Sequence, residues 1–335
     1  MAVDFTKLKV VKDVGRQDVL FGLARKPNSA RVFVGSSDFK VYDFDLAADK
    51  PEGKPVGEHG SYVTDAALLA GNVLVSGGYD CRLSWWNAET YQPIRSAEAH
   101  AKRIRGITAS PDGRLAASIA DDMVCRLWDA ATGKLVRELK GHEPLTPHHF
   151  PSMLYAVAFS NDGRLLATGD KTGRVCVWNL ADGKQLAVLD ASGNYTWDPT
   201  ARRHSIGGVR SLAFSPDGAT LAVGGTGKIG NIDHLEAPGR LETFDWRSGK
   251  SQLVVSLDSK HKGLIERMAY SRDGKWLALA GGATAGFVGF FDAVAGKIAY
   301  QDAAPMHVHG LALAEDDATL YASGHGKLLV WSLKG

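Results

Sequence analysis

Hydrophobic residues in this chain occur in short runs separated by turn residues, and the pattern repeats. Residues 103–142 and 153–190 align over their whole length, and residues 209–225 match the first part of the same unit. Each full unit has an apolar run, a Ser-x-Asp-Gly turn, a second run, and a third run that ends on Trp-Asp or Trp-Asn. Because Asp-Gly supplies the positive φ of a tight hairpin, the pattern predicts antiparallel strands joined by hairpins.

The length of the repeat predicts an all-β architecture. Four short strands in every ~40–45 residues form one small antiparallel sheet, and no run has helical periodicity. Such a sheet cannot bury both of its faces alone, so neighbouring sheets must stack around an axis.

The signature residues identify a family resemblance. Trp128-Asp129 and Trp178-Asn179 end third strands, and Gly141-His142 begins a unit. On these residues the chain resembles the WD-repeat β-propeller family. The resemblance implies a seven-bladed propeller of four-stranded antiparallel blades, and it says less about function because propellers serve many functions.

The weaker repeats extend this frame to one domain over residues 1–335. The predicted blades cover about residues 19–58, 59–99, 100–141, 142–190, 193–258, 261–304 and 306–335. The last blade lacks a fourth strand, whereas residues 7–13 resemble one. We therefore expect residues 7–13 to complete the last blade and close the ring, which would remove an exposed sheet edge.

The resemblance also implies a buried hydrogen-bond chain of His, Ser or Thr, Asp and Trp in some blades. Two complete sets map onto the chain: His59, Ser76, Asp80 and Trp86, and His100, Ser118, Asp122 and Trp128. A third set has His142, Thr168 and Trp178 but carries Thr172 where Asp is expected. Because two copies share the spacing from Ser through Asp to Trp, we interpret them as structural tetrads that satisfy buried polar atoms and not as catalytic sites.

Three long departures from the repeat fall on one predicted face, here called the top. They are residues 143–153, 191–208 and 225–239. Prolines stiffen the first of them, and aromatic and basic side chains of the kind enriched at binding hot spots accompany all three. The alternative is that these loops only pack on one another around Trp197.

We predict that this top face binds a protein or an acidic peptide segment. The predicted contact residues are His148, His149, Phe150, Tyr155, Tyr195, Trp197, Arg202, Arg203, His204, His234, Arg103, Arg105 and Arg210.

Composition narrows the function class further. The 335 residues carry a formal charge of +2, which argues against a long nucleic-acid contact. Three cysteines do not make a disulfide framework, and no membrane-spanning run or signal peptide is apparent. We expect a cytoplasmic, monomeric, non-enzymatic scaffold without a cofactor.

A histidine-rich site is the main alternative. His307 and His309 lie two apart on a predicted strand and so point to one face, and His325 lies in a top loop of the same blade. Neutral imidazoles ligate zinc, copper or iron, which leaves open a metal-binding, small-molecule-binding or enzymatic propeller. Diagnostic carboxylate or thiolate spacing is missing, so no metal ligand is assigned.

Overall fold

The computed structural model describes residues 3–200, 203–232 and 235–334, and these residues form short β-strands. The first twelve strands, in chain order, are β1 (Lys9–Arg25), β2 (Arg31–Ser36), β3 (Lys40–Asp45), β4 (Lys54–Glu58), β5 (Val63–Leu69), β6 (Val73–Gly78), β7 (Arg82–Asn87), β8 (Pro93–Glu98), β9 (Ile104–Ala109), β10 (Leu115–Ala120), β11 (Val124–Asp129) and β12 (Leu135–Lys140).

The remaining strands continue the same rhythm. They are β13 (Leu154–Phe159), β14 (Leu165–Asp170), β15 (Arg174–Asn179), β16 (Gln185–Asp190), β17 (Tyr195–Asp198), β18 (His204–Gly207), β19 (Ser211–Phe214), β20 (Thr220–Thr226), β21 (Gly239–Asp245), β22 (Lys250–Ser256), β23 (Leu264–Tyr270), β24 (Trp276–Gly282), β25 (Gly286–Asp292), β26 (Lys297–Ala304), β27 (Val308–Leu313) and β28 (Thr319–Ser332).

Helical structure is limited to single 3-10 turns. The described residues contain three of them, at Phe5–Lys7, Ala70–Asn72 and Ser192–Asn194. None of the helices in the described ranges is long and apolar enough to cross a membrane.

The chain divides into two compact units. The first comprises Met1–Ala120, Arg126–Glu138 and Val308–Gly335, and the second comprises Asp121–Cys125 and Leu139–His307. In the first unit, Trp85, Leu83 and Ile104 are fully buried in one apolar cluster. In the second, Val177, Phe244 and Trp246 belong to another. The second strands β6, β10 and β14 are buried along nearly their whole length, so sheet faces on both sides must cover them.

Six sheets of four or more strands form in the described residues. Five are four-stranded: β5–β6–β7–β8, β9–β10–β11–β12, β13–β14–β15–β16, β19–β20–β21–β22 and β23–β24–β25–β26. The sixth is six-stranded and runs β27–β28–β1–β2–β3–β4, and β17 and β18 make a separate pair. The predicted all-β architecture of four-stranded antiparallel blades is confirmed.

The predicted count of seven separate blades is wrong for a specific reason. Strand β1 is continuous: its first half pairs with β28, from Lys9↔Ser332 to Gly15↔Lys327. Its second half pairs with β2, from Leu20↔Ser36 to Arg25↔Val32. One strand therefore joins the sheets that the sequence assigned to the first and last blades.

The N-terminal segment thus pairs with the C-terminal strand, as residues 7–13 were expected to do. Strand β28 itself folds back, because the Leu333 amide donates to the Ala318 carbonyl over 2.8 Å. Without β1, the second half of β28 would present unpaired backbone groups beside the buried side chains of Leu328 and Leu329.

We therefore expect deletion of residues 1–15 to lower the melting temperature by at least about 5 °C and to promote aggregation, because it removes the β1–β28 ladder. Differential scanning calorimetry and light scattering measure both effects. Deletion of residues 1–8, which leaves β1 intact, is the matched control. Equal melting temperatures for the two truncations would contradict this role of the strand.

Candidate interaction surface

The proline-rich segment 143–153, called loop A below, is a small closed hairpin. An isolated bridge joins Leu145 to Pro151. The Thr146 amide donates to the Phe150 carbonyl over 2.7 Å, and the His149 amide returns to the Thr146 carbonyl over 2.9 Å. His149 has a left-handed backbone (φ 63°) at the tip, and its side chain is exposed. Prolines and backbone hydrogen bonds therefore fix the shape of loop A.

The second departure, 191–208 or loop B, is more ordered than a simple connection. Strands β17 and β18 pair with Trp197 opposite Ser205 and Tyr195 opposite Gly207. Because alternate residues of a strand share a face, Tyr195 and Trp197 point the same way.

A histidine of loop A locks the two loops together. The His148 ring stacks on the Trp197 ring with centroids 4.2 Å apart and an angle of 13° between planes. Its Nδ1 lies 2.9 Å from the Tyr195 hydroxyl. Phe150 packs on the Trp197 ring at 5.3 Å and meets the His204 ring edge-on at 5.9 Å. The structure thus brings together five residues predicted from sequence.

The third departure, 225–239 or loop C, also contacts loop B. The Ile229 amide donates to the buried Thr196 hydroxyl over 3.0 Å. Ile229 and Ala237 are themselves buried. Loops A, B and C therefore form one packed set within the second unit, called the loop cluster below. Two predicted contact residues, Arg202 and His234, lie outside the described residues.

A groove runs beside loop A. Its volume is about 490 Å³, and its walls come from loop A and from the ends of β14, β15 and β16. Pro144, Leu145, Pro147, Val188 and Leu189 give it an apolar lining. Leu145 and Val188 are 49% and 41% exposed, so a bound group could cover them.

Two cations lie close together in the second unit. The Arg210 guanidinium stacks on the Tyr155 ring at 3.7 Å from its centroid, and its terminal nitrogen donates to the Gly207 carbonyl over 3.4 Å. Lys171 is only 6% exposed. Burial, and next the charge of Arg210, lower the pKa of Lys171. Sequence reasoning selected Tyr155 and Arg210 but missed Lys171, because nothing in a turn sequence marks a lysine as buried.

Arg103 and Arg105 lie in the first unit, where both stack on Tyr79, at 4.8 and 5.3 Å from the ring centroid. Tyr79 in turn contacts Tyr62 at 5.7 Å, and Tyr62 contacts Phe39 at 5.7 Å. This aromatic row was missed, because its members come from different turns with no shared spacing. The exposed Phe39 has a left-handed backbone (φ 76°), a conformation that is rare and costly for a bulky residue.

The first structural tetrad is hydrogen-bonded throughout. His59 Nδ1 lies 2.9 Å from the Asp80 carboxylate, and its Nε2 lies 2.8 Å from the Ser76 hydroxyl. Trp86 donates its indole N–H to the same hydroxyl over 2.8 Å. Although burial raises the pKa of Asp80, the hydrogen bond and charge of His59 together with the backbone amides of Arg82 and Gly60 outweigh it, and the net shift of the pKa is downward.

In the second tetrad an arginine also approaches the histidine. His100 Nε2 lies 2.7 Å from the Ser118 hydroxyl, which accepts the Trp128 indole N–H over 2.9 Å. His100 Nδ1 lies 2.6 Å from Arg126. Arg126 also forms an ion pair with Glu138.

The third hydrogen-bond chain is complete, although the sequence has Thr172 at the position where Asp is expected. Asp170, two residues earlier, accepts from His142 Nδ1 over 2.7 Å. His142 Nε2 lies 2.8 Å from the Thr168 hydroxyl, which accepts the Trp178 indole N–H over 3.0 Å. Thr172 instead donates its hydroxyl to Asp170. Burial lowers the pKa of His142, but the hydrogen bonds and charges of Asp170 and Cys176 together outweigh it and raise the pKa to about 9.

The histidines of the alternative site lie in both units. In the first unit, the rings of His309 and His325 have centroids 4.8 Å apart, and the His309 ring also contacts Phe21 at 5.5 Å. In the second unit, His307 Nε2 lies 3.9 Å from the Glu266 carboxylate.

The Asp170→Asn substitution tests how much the hydrogen-bond chain of His142, Thr168 and Trp178 stabilises the fold. Its protonated His142 stabilises the fold fully below the unfolded pKa of about 6.5, and this contribution is lost as pH rises through about 9. We expect the substitution to cost about 2–3 kcal/mol at pH 6 and clearly less near pH 9.

Urea unfolding at pH 6, 7.5 and 9 measures this difference. Asp182→Asn, in an exposed turn of the same unit, is the control and should change stability little. A cost for Asp170→Asn that is equal at the three pH values would show that His142 is not charged in the folded state.

The family model described as WD domain, G-beta repeat, matches residues 91–129, 133–179 and 198–229. Rat apoptotic protease-activating factor 1 is 30% identical over 167 residues, which cover 50% of this chain and 12% of that protein. Nuclear distribution protein PAC1 of Arthroderma benhamiae is 28% identical over 170 residues, covering 46% and 34%. Mouse telomerase protein component 1 is 28% identical over 227 residues, covering 68% and 7%.

The matched regions thus make up at most about a third of each of these relatives. The three family-model matches fall on the units in which the signature residues Trp128 and Trp178 were found and on the start of the next. These matches show WD repeats in residues 91–129, 133–179 and 198–229, and together with the four-stranded antiparallel sheets they support a WD-repeat β-propeller family.

Proposed function

We propose that this protein is a non-catalytic scaffold that binds a protein or an acidic peptide segment through the loop cluster. The surface consists of loops A, B and C and of the neighbouring Tyr155 and Arg210, on the predicted top face. The described residues of the cluster supply aromatic anchors, exposed basic groups and an adjoining apolar groove.

The stack of His148 on Trp197 is the observation that carries this proposal. It joins two segments that are inserted at separate points of the chain, at 4.2 Å between rings. A surface held rigid before binding loses less conformational entropy when a partner docks. Packing between the loops and recognition by them are therefore compatible, since the packing fixes the groups that remain exposed.

The exposed groups of the cluster have the right chemistry for a partner contact. His149, Arg203 and His204 are exposed, and both His149 and Arg203 have left-handed backbones (φ 63° and 48°). Local strain of this kind persists where surrounding structure enforces it and is common at functional sites. Basic donors beside Trp197 suit an acidic segment with an aromatic or apolar anchor.

The groove beside loop A would take the apolar anchor. Its wall is formed by prolines and by the half-exposed Leu145 and Val188. Glu143 and Asp190 also line it, so the groove itself suits an apolar side chain and not an acidic one. The acidic part of the partner would instead lie toward Arg203 and Arg210.

The relatives fit a scaffold role. One of them is named as a protein component of telomerase. For this chain, the single domain over residues 1–335, the cytoplasmic location and the monomeric state stay predictions.

A metal-binding or small-molecule-binding function is the second candidate. The proximity of the His309 and His325 rings, at 4.8 Å, favours it. Elemental analysis of protein purified without chelators tests it: a stoichiometric transition metal lost in His309→Ala would support this function over a scaffold alone.

The scaffold proposal predicts loss of a captured partner in the triple variant Trp197→Ala, His149→Ala, Arg203→Ala. Affinity capture from source lysate should retain a partner on the wild type. The variant should recover at least roughly tenfold less of that partner, since hot-spot truncations cost about 2 kcal/mol or more. Both proteins must first be shown to melt alike.

The matched control is Val294→Ala, Arg164→Ala, Lys184→Ala, which removes one apolar and two basic exposed side chains elsewhere in the second unit. It should capture the partner as the wild type does. Equal capture by the wild type and the loop-cluster variant would mean that the loops are structural and that binding occurs elsewhere on the protein.

A further inference from the structure

We infer that Lys171, Arg210 and Tyr155 form a binding site for a compact oxyanion, a carboxylate or phosphate group, beside the loop cluster. The inference deepens the proposed function and rests on it only for one source of the anion, an acidic or phosphorylated side chain of the partner. The other source is a free oxyanion.

The lysine is the first element of the site. Lys171 follows β14 in the turn that leads to β15, and its amide donates to the Met153 carbonyl over 2.9 Å. At 6% exposure it is more than nine-tenths buried. Its ammonium makes no hydrogen bond or ion pair with any described residue. The stem of the side chain is thus enclosed, while the ammonium tip keeps access to solvent and to a ligand.

The arginine is the second element. Its guanidinium is held flat on the Tyr155 ring at 3.7 Å, and one terminal nitrogen donates to the Gly207 carbonyl. Its Nε is buried and without a hydrogen-bond partner among the described residues. No carboxylate of the described ranges forms an ion pair with it. Donor capacity that the protein leaves unused is available to a ligand, and guanidinium is suited to oxyanions.

The two cations also repel each other. Burial and then the charge of Arg210 lower the pKa of Lys171. An oxyanion between them would cancel that repulsion and supply the acceptors that both lack. Neither cation forms an ion pair with a carboxylate of the described ranges, so an anion is the ligand that both would attract.

Two glycines let the backbone before Arg210 approach the backbone of Lys171 closely. Gly207 and Gly208 both have positive φ, 99° and 109°. A Cβ on Gly208 would come within 2.7 Å of the Lys171 Cα. The amide of Val209 donates to the Asp170 carbonyl over 3.0 Å and the amide of Arg210 to the Gly224 carbonyl over 2.8 Å. Hydrogen bonds therefore hold the backbone of both residues beside strands β14, β19 and β20, which limits the entropy cost of binding.

The first test titrates the full-length protein with inorganic phosphate at constant ionic strength, with chloride as the exchanged ion. Lysine-selective ¹³C labelling and NMR follow the Lys171 side chain, whose signal is assigned by its loss in Lys171→Met. We expect a saturable shift of that signal, an unchanged Lys184 signal, and a higher melting temperature in phosphate than in chloride.

The variants Lys171→Met and Arg210→Gln should each weaken phosphate binding roughly tenfold or more, as expected for one lost charge-assisted contact. Lys184→Met, which removes an exposed lysine of the same unit, should bind phosphate as the wild type does. Without phosphate, Lys171→Met should melt no lower than the wild type, because Met keeps the buried stem and removes a cation that burial and Arg210 disfavour.

The inference is overturned if the Lys171 signal fails to saturate and follows ionic strength alone, or if Arg210→Gln titrates like the wild type. Neither result depends on a partner. If phosphate fails to bind while the loop cluster still captures its partner, the proposed function stands and the oxyanion site does not.

Partner capture then identifies the source of the anion. If phosphate binds and Lys171→Met loses the captured partner, the partner carries the oxyanion. If phosphate binds and capture by Lys171→Met is unchanged, or no partner is captured by any form, the site takes a free oxyanion. Both outcomes support the site, and only the latter case without any partner counts against the proposed function.

Discussion

A buried hydroxyl that bonds to both a histidine and a tryptophan is the interaction on which the blades depend. Thr168 lies on β14, Trp178 on β15, and His142 precedes β13, so one oxygen ties three parts of a sheet together. Asp170 extends the network, because it also accepts the amides of Thr172 and Arg174 and so fixes the turn between them. Lys171 lies in that turn, and its position is therefore set by a network that makes no direct contact with a ligand.

The strands and turns could be predicted because their signals are local. Asp-Gly at the hairpins and Trp-Asp or Trp-Asn at the ends of third strands specify geometry within a few residues. The sequence did not predict that Asp170 supplies the carboxylate of the third tetrad. The spacing expects the carboxylate at position 172, which is Thr, and the two residues lie in one tight turn. The blade count failed for a similar reason: whether β1 breaks between Gly15 and Leu20 depends on its partners on both sides, not on its own residues.

The candidate surface was predictable in its segments but not in its contacts. Prolines and aromatics mark loops A and B, whereas the pairing of His148 with Trp197 depends on the fold, since 49 positions separate them in the chain. The row Phe39, Tyr62 and Tyr79 was invisible for the same reason, although each ring lies about 5.7 Å from the next. Long-range aromatic contacts have no sequence spacing of their own, and only strand register brings them together.

The electrostatic preference of the second unit comes from residues in its turns. A formal charge of +2 over 335 residues gives the chain no general attraction for anions, so any anion preference must be local. Lys171 and Arg210 provide such a local preference. Burial and the charge of Arg210 both lower the pKa of Lys171, so its charged form is held at a cost. Asp170 and the backbone hydrogen bonds of Lys171, Val209 and Arg210 fix the backbone that carries the two cations, and an oxyanion bound between them would relieve their repulsion.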